Sequence, residues 1–150
     1  MYADAKELGL LTISGAGPLL TATPPATILD LAVVNFQSLT FALNVGVGTT
    51  SFSATNTLAF NVQDSDDGVA FSPVTDQALS NASGTTGGNI FIVNSPIVAD
   101  TLAKIGYVGG KRFLSCQPVL GGTHAGTALH WMGILSRPLV LPVRPIAPLV

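Results

Sequence analysis

The sequence predicts an all-β single domain, a β-sandwich or jelly-roll-like fold. Three observations carry this expectation. Leu39, Phe41, Leu43 and Val45 alternate with Thr40, Ala42 and Asn44, and Leu58, Phe60 and Val62 alternate with Ala59, Asn61 and Gln63. That period of two belongs to half-buried strands. Asn89-Ile90-Phe91-Ile92-Val93 is a short continuous apolar run, the pattern of a strand covered on both faces. Glycine-bearing turns punctuate the chain at Gly46-Val47-Gly48, Asp66-Asp67-Gly68, Gly84 with Gly87-Gly88, Gly109-Gly110 and Gly121-Gly122. Short strands at such spacing build sandwiches and barrels. A chain of 150 residues fits one domain and can bury a sizeable core.

Taken in order, residues 3–8 read as a short helix stopped by Gly9. Residues 27–34, 39–45, 58–62, 89–93, 111–118 and 128–135 read as strands. Residues 97–105 show no strong alternation and read as a loop or a short helical turn. No fixed-period repeat or linker divides the chain. Residues 1–25 are expected to form an N-terminal arm, 26–136 the sandwich and 137–150 an extended C-terminal arm. Both alternating sets should point into one core, with Phe91 and Trp131 nearby. Phe52, in the Thr- and Ser-rich stretch 49–55, should be dispensable to the free subunit.

Apolar residues make up 47% of the chain and charged residues 9%, against a usual charged share of about a quarter. Such a surface suits a protein much of whose exterior is interface. Net charge is −2. Residues 1–100 hold all eight acids and one base, Lys6, giving −7; residues 101–150 hold Lys104, Lys111, Arg112, Arg137 and Arg144, giving +5. The halves either interleave and cancel or supply complementary faces in an assembly. Five dispersed bases with little aromatic interleaving argue against a nucleic-acid partner. No apolar run reaches the roughly 18 residues of a membrane helix, so no membrane partner is expected. The polar opening, Met1-Tyr2-Ala3-Asp4, does not read as a signal peptide. Cys116 is the only cysteine, which excludes an internal disulfide and suits a reducing cytosol.

Chemistry-bearing patterns are few. Asp64-Ser65-Asp66-Asp67-Gly68 starts like a calcium loop, but position 68 is already the glycine and position 75 is Thr. It reads instead as a hairpin turn, since Asp-Gly tolerates positive φ. His124 and His130 are the only histidines, His124 in a flexible glycine-rich loop. They lack a third zinc ligand, and no Gly-x-Ser-x-Gly elbow accompanies them. Cys116 sits in an apolar strand as a buried thiol. The glycine pairs lack the ending of a P-loop. No catalytic residue, cofactor or metal is expected, and the chain reads as a non-enzyme.

The ending, Arg-Pro-Leu-Val-Leu-Pro-Val-Arg-Pro-Ile-Ala-Pro-Leu-Val, holds four prolines in an apolar segment. Proline excludes a helix and most ladders. The segment is expected to lie extended along a neighbouring copy or another protein. Candidate interface residues are therefore Arg137, Pro138, Leu139, Leu141, Pro142, Arg144, Pro145 and Ile146. Lys111 and Arg112 join them as anchors on an acidic partner, or else form a solvated strand start.

Three segments taken together resemble a known family. Gln63-Asp64-Ser65-Asp66-Asp67-Gly68, Gly106-Tyr107-Val108-Gly109-Gly110-Lys111-Arg112-Phe113 and Gly122-Thr123-His124-Ala125-Gly126-Thr127 occur in this order. They look like small β-rich virion proteins of tailed bacteriophages and prophages, encoded near the major capsid protein. The resemblance covers residues 56–138. It implies a capsid decoration, or cement, protein that binds the outer capsid surface and stabilises the head. Its partners would be the major capsid protein and itself, as a homo-oligomer, with a trimer expected. Its place would be the virion surface, after assembly in the host bacterial cytoplasm. Head–tail connectors and tail terminators are proteins of similar kind. A host-attachment sandwich that binds carbohydrate is a reading of another class; the single tryptophan, Trp131, in an apolar strand argues against it.

Overall fold

The computed structural model describes residues 10–11, 19–32, 36–82 and 84–138. The strands are β1 (Leu10–Leu11), β2 (Thr27–Asp30), β3 (Phe36–Gly46), β4 (Thr57–Ser65), β5 (Ser72–Pro73), β6 (Leu79–Ser80), β7 (Asn89–Val93), β8 (Thr101–Tyr107), β9 (Phe113–Gly121) and β10 (Ala128–Pro138). The only helical element among the described residues is one 3-10 turn, Asp76–Ala78. The fold is all-β, a sandwich of two antiparallel sheets. One sheet runs β1-β10-β3-β8-β6; the other runs β2-β9-β4-β5, with β7 also on β4.

The pairings have a simple logic. β1 pairs β10, β2 pairs β9, β3 pairs β8 and β4 pairs β7, all antiparallel. These pairs fall alternately in the two sheets, and β10 beside β3 and β9 beside β4 close each sheet. This is the wrapping of a jelly roll. β5, the 3-10 turn and β6 form an excursion that crosses from β4 in one sheet to β8 in the other.

The alternating sets do point inward. Leu39, Phe41, Leu43, Val45, Leu58, Phe60 and Val62 are each exposed by 1% or less. Phe60 joins the sheets: its ring centroid lies 5.5 Å from Phe41 and 5.1 Å from Trp131, the latter edge-on. Burial of such a side chain is worth about 1.5–3 kcal/mol. Phe91 is half-buried and packs against this core.

Several expectations are corrected. The expected loop or helical turn at 97–105 contains most of β8. Its signal is weak because Leu102 points outward at 62% exposure while Ala103 faces in with little bulk. Seven register positions against β3 hold it extended. β7 is not covered on both faces: Ile92 is 47% exposed. β2 is shorter than expected, turning at Leu31 and Ala32. β9 starts at Phe113 and runs on to Gly121. β10 continues to Pro138, which pairs with Phe36 at the very end of the ladder, the position where a missing N–H costs least.

Phe52 is also not a loop decoration. It is 2% exposed and belongs to the core. The stretch around it dips inward between β3 and β4, which a local reading of Thr and Ser content misses.

The sandwich also reaches further toward the N terminus than residue 26. β1 pairs β10, and Leu20 and Thr127 exchange backbone hydrogen bonds of 2.9 and 2.8 Å. The expected helix at 3–8 and the tail at 139–150 lie outside the described residues.

Candidate functional site

The strand registers set two groups of loops at opposite ends of the sandwich. One end carries the turn after β2, residues 66–71 and residues 108–112. The other carries residues 19–26, 47–56, 94–100 and 122–127. These two ends differ in chemistry.

The first end is charged. Asp64 at the end of β4 accepts a 2.9 Å hydrogen bond from the Tyr107 hydroxyl, and that hydroxyl accepts the backbone N–H of Lys111 at 3.1 Å. Burial raises the Tyr107 phenol far above its usual range, and Asp64 adds to the effect. The Lys111 ammonium pairs with Asp66, which raises its pKa. Arg112 grips Asp30 with two bonds of 2.9 and 2.7 Å and lies 4.6 Å over the Phe113 ring. The Asp30 hydrogen bond likewise raises the Arg112 pKa. Asp67 accepts the N–H groups of Val69 and Ala70 at 2.8 and 2.9 Å and the Ser65 hydroxyl at 2.8 Å. These bonds, Val69 foremost, lower its pKa to about 2.

The three carboxylates of the calcium-like run thus serve three different partners: a tyrosine, a lysine and a turn. The hairpin turn is present, as a wide loop from Ser65 to Phe71 rather than a two-residue one. Of its Asp-Gly pair only Gly68 takes a positive φ, 75°. Lys111 and Arg112 are brought together here, and each is already paired within the chain. Arg137 and Pro138 end β10 at this same end. Leu139, Leu141, Pro142, Arg144, Pro145 and Ile146 lie outside the described residues. The acidic first half and basic second half of the chain interleave at these pairs.

The second end is almost uncharged. Its four loops contain one acid, Asp100, whose carboxylate accepts the Val47 N–H at 3.2 Å. Apolar side chains rim it: Leu19, Val47, Val98 and Leu102 are all exposed, Val98 by 97%. The loops beneath are tied down. His124 is not in a flexible loop but buried, with Nε2 2.9 Å from the Gly121 carbonyl and Nδ1 2.7 Å from the Thr127 hydroxyl. A carbonyl only accepts, so in the neutral ring Nε2 carries the proton and the hydroxyl donates to Nδ1. The Phe52 ring meets the imidazole at 6.2 Å, edge-on. The Gly126 carbonyl accepts the N–H groups of Thr49 and Thr50 at 3.0 and 3.2 Å. Thr123 N–H reaches the Asn56 side chain at 3.0 Å.

This apolar rim was not among the sequence candidates. Its four residues come from four separate segments, and only the fold gathers them. Among the described residues, no three His, Cys, Asp or Glu side chains are grouped as metal ligands. Cys116 is fully buried and its thiol pKa is pushed up by burial. Trp131 is 4% exposed, and among the described side chains no aromatic ring appears with the exposed large apolar ones. No helix of the described residues is long and apolar enough to cross a membrane. Compared with protein-family models, curated proteins and solved structures, the chain gives no match in any of the three.

Proposed function

We propose that this chain is a non-enzymatic structural protein of a bacteriophage particle, a capsid decoration protein that seats on the outer shell and stabilises it. The observation that carries this reading is the contrast between the two ends. An almost uncharged end rimmed by Leu19, Val47, Val98 and Leu102, with its loops tied together by hydrogen bonds, suits docking on a protein surface. The charged end, where Lys111 and Arg112 are paired with acids of the same end, suits solvent. The jelly roll is also an architecture that capsid proteins use, although fold alone assigns no role.

In this reading the partners are the major capsid protein and further copies of the chain. The work is mechanical: each copy adds buried area across a junction in the shell, and repetition over many sites multiplies a modest gain. The apolar, proline-rich residues 139–150 are proposed to engage a neighbouring subunit.

The test is to locate the chain on purified particles by electron cryomicroscopy. Density for the sandwich repeated over the outer capsid lattice, uncharged end down, is the expected result. Density confined to one vertex or to the tail would reassign the chain to a connector or tail terminator. Absence from the particles would remove the virion reading altogether.

A further inference from the structure

Protein sheets guard their open edges, because a row of unpaired backbone N–H and C=O groups recruits any other strand. The edges of this sandwich can be compared one by one. β2 carries Asp30 and follows Pro24-Pro25. β5 is two residues long and contains Pro73; β1 and β6 are also only two residues. The part of β8 that runs beyond β6 carries Lys104. The outer edge of β10 is met at two places, by β1 at Gly133 and Ile134 and by Leu20 beside Thr127 just before the strand. β7 is different. It has five residues, Asn-Ile-Phe-Ile-Val, with no charge and no proline, and among the described residues it pairs as a strand only with β4. Its Ile92 side chain is 47% exposed.

We propose that the free edge of β7 pairs with β7 of a second copy, antiparallel and about a two-fold axis. The occupant follows from the chemistry of the edge. Backbone donors and acceptors in a row are satisfied only by another extended backbone. A neutral apolar strand selects a neutral apolar partner, because a charged strand would leave its charges desolvated beside Ile92. A second copy supplies such a strand, and a strand is complementary to itself under a two-fold. An axis through Phe91 keeps the inner faces of both sheets aligned. It sets the two half-buried Phe91 rings opposite each other, a favourable cross-strand pair. The result is one continuous sheet in the order β2-β9-β4-β7 followed by β7-β4-β9-β2 of the second copy. This pairing is a property of the isolated chain and goes beyond the virion reading, which could fail without affecting it.

The experiment uses the full chain. Sedimentation velocity from low to high micromolar concentration is run on the wild type, on Ile92→Lys and on Val69→Lys, a control at the charged end. Amide hydrogen exchange is read at the two concentration extremes. Ile92 is exposed, so Ile92→Lys should fold, which its melting curve checks. The expected result is a wild-type dimer, an unchanged dimer for Val69→Lys and at least about tenfold weaker association for Ile92→Lys. Amides of residues 90–93 should gain protection as concentration rises. A wild-type monomer throughout overturns the proposal. So does a trimer, or a dimer that Ile92→Lys leaves intact with no concentration dependence at 90–93.

Discussion

The Tyr107 hydroxyl on β8 donates to the Asp64 carboxylate on β4 at 2.9 Å, a polar bond between the two sheets of the sandwich. The same oxygen receives the Lys111 N–H and so fixes the loop that leads into β9. Tyr107→Phe keeps the ring and removes both bonds. A hydrogen bond to a charged group contributes roughly 1.5–3 kcal/mol and a neutral one about 1 kcal/mol. Asp64 keeps access to water, so the expected loss is about 1–2 kcal/mol. Urea unfolding measures it; equal midpoints for both proteins would show that the bridge contributes nothing.

Phe52→Ala should destabilise the isolated subunit about as much as Phe60→Ala. Both rings are buried, at 2% and 1% exposure, and a buried Phe→Ala change costs about 3–5 kcal/mol. Thermal melting of both variants checks this. A Phe52→Ala protein that melts like the wild type would mean that residues 49–55 are not seated as described.

Asp67 sets a pH dependence with a definite sign. Its folded pKa is depressed, from 3.8 to about 2, by the N–H groups of Val69 and Ala70 and by Ser65. Its contribution is therefore complete above pH 3.8 and is lost as pH falls through about 2. Asp67→Ala should melt below the wild type at neutral pH, and the gap should close toward pH 2. A gap that stays constant over that range would show that the carboxylate charge is not what holds the 65–71 turn.

His124→Ala should loosen the uncharged end without unfolding the sandwich. It leaves the Gly121 carbonyl and the buried Thr127 hydroxyl without their ring partner, at about 1–3 kcal/mol for each buried group left unpaired. Faster amide exchange at Gly126 and Thr127, with β3 and β4 unchanged, is the expected pattern. Unchanged exchange at both amides would show that the imidazole does not hold the loop.

Single removal of the Lys111 or Arg112 charge should leave stability close to that of the wild type, since exposed, solvent-screened pairs contribute little. Chemical denaturation of Lys111→Ala and Arg112→Ala gives the number. A clear drop in the unfolding midpoint of either would mean that the pair does more than fix a loop.

The sequence by itself determined the class of fold and most of the core. Leu39 to Val45 and Leu58 to Val62 could be placed because a strand's inward face repeats every two residues, which is a local rule. Cys116 as a buried thiol was legible in the same way. β8 was not legible, because Leu102 points outward and Ala103 inward, and only the ladder to β3 holds that stretch extended. Phe52 and His124 were misplaced because a Thr-, Ser- and Gly-rich composition describes a segment's solubility and not its path. The partners of Lys111 and Arg112, Asp66 and Asp30, lie 45 and 82 positions away, beyond any local pattern. The apolar rim of Leu19, Val47, Val98 and Leu102 was decided by tertiary structure alone. The jelly-roll wrapping carries four distant segments to one end, and contact between residues far apart in sequence is set by how the sheets close.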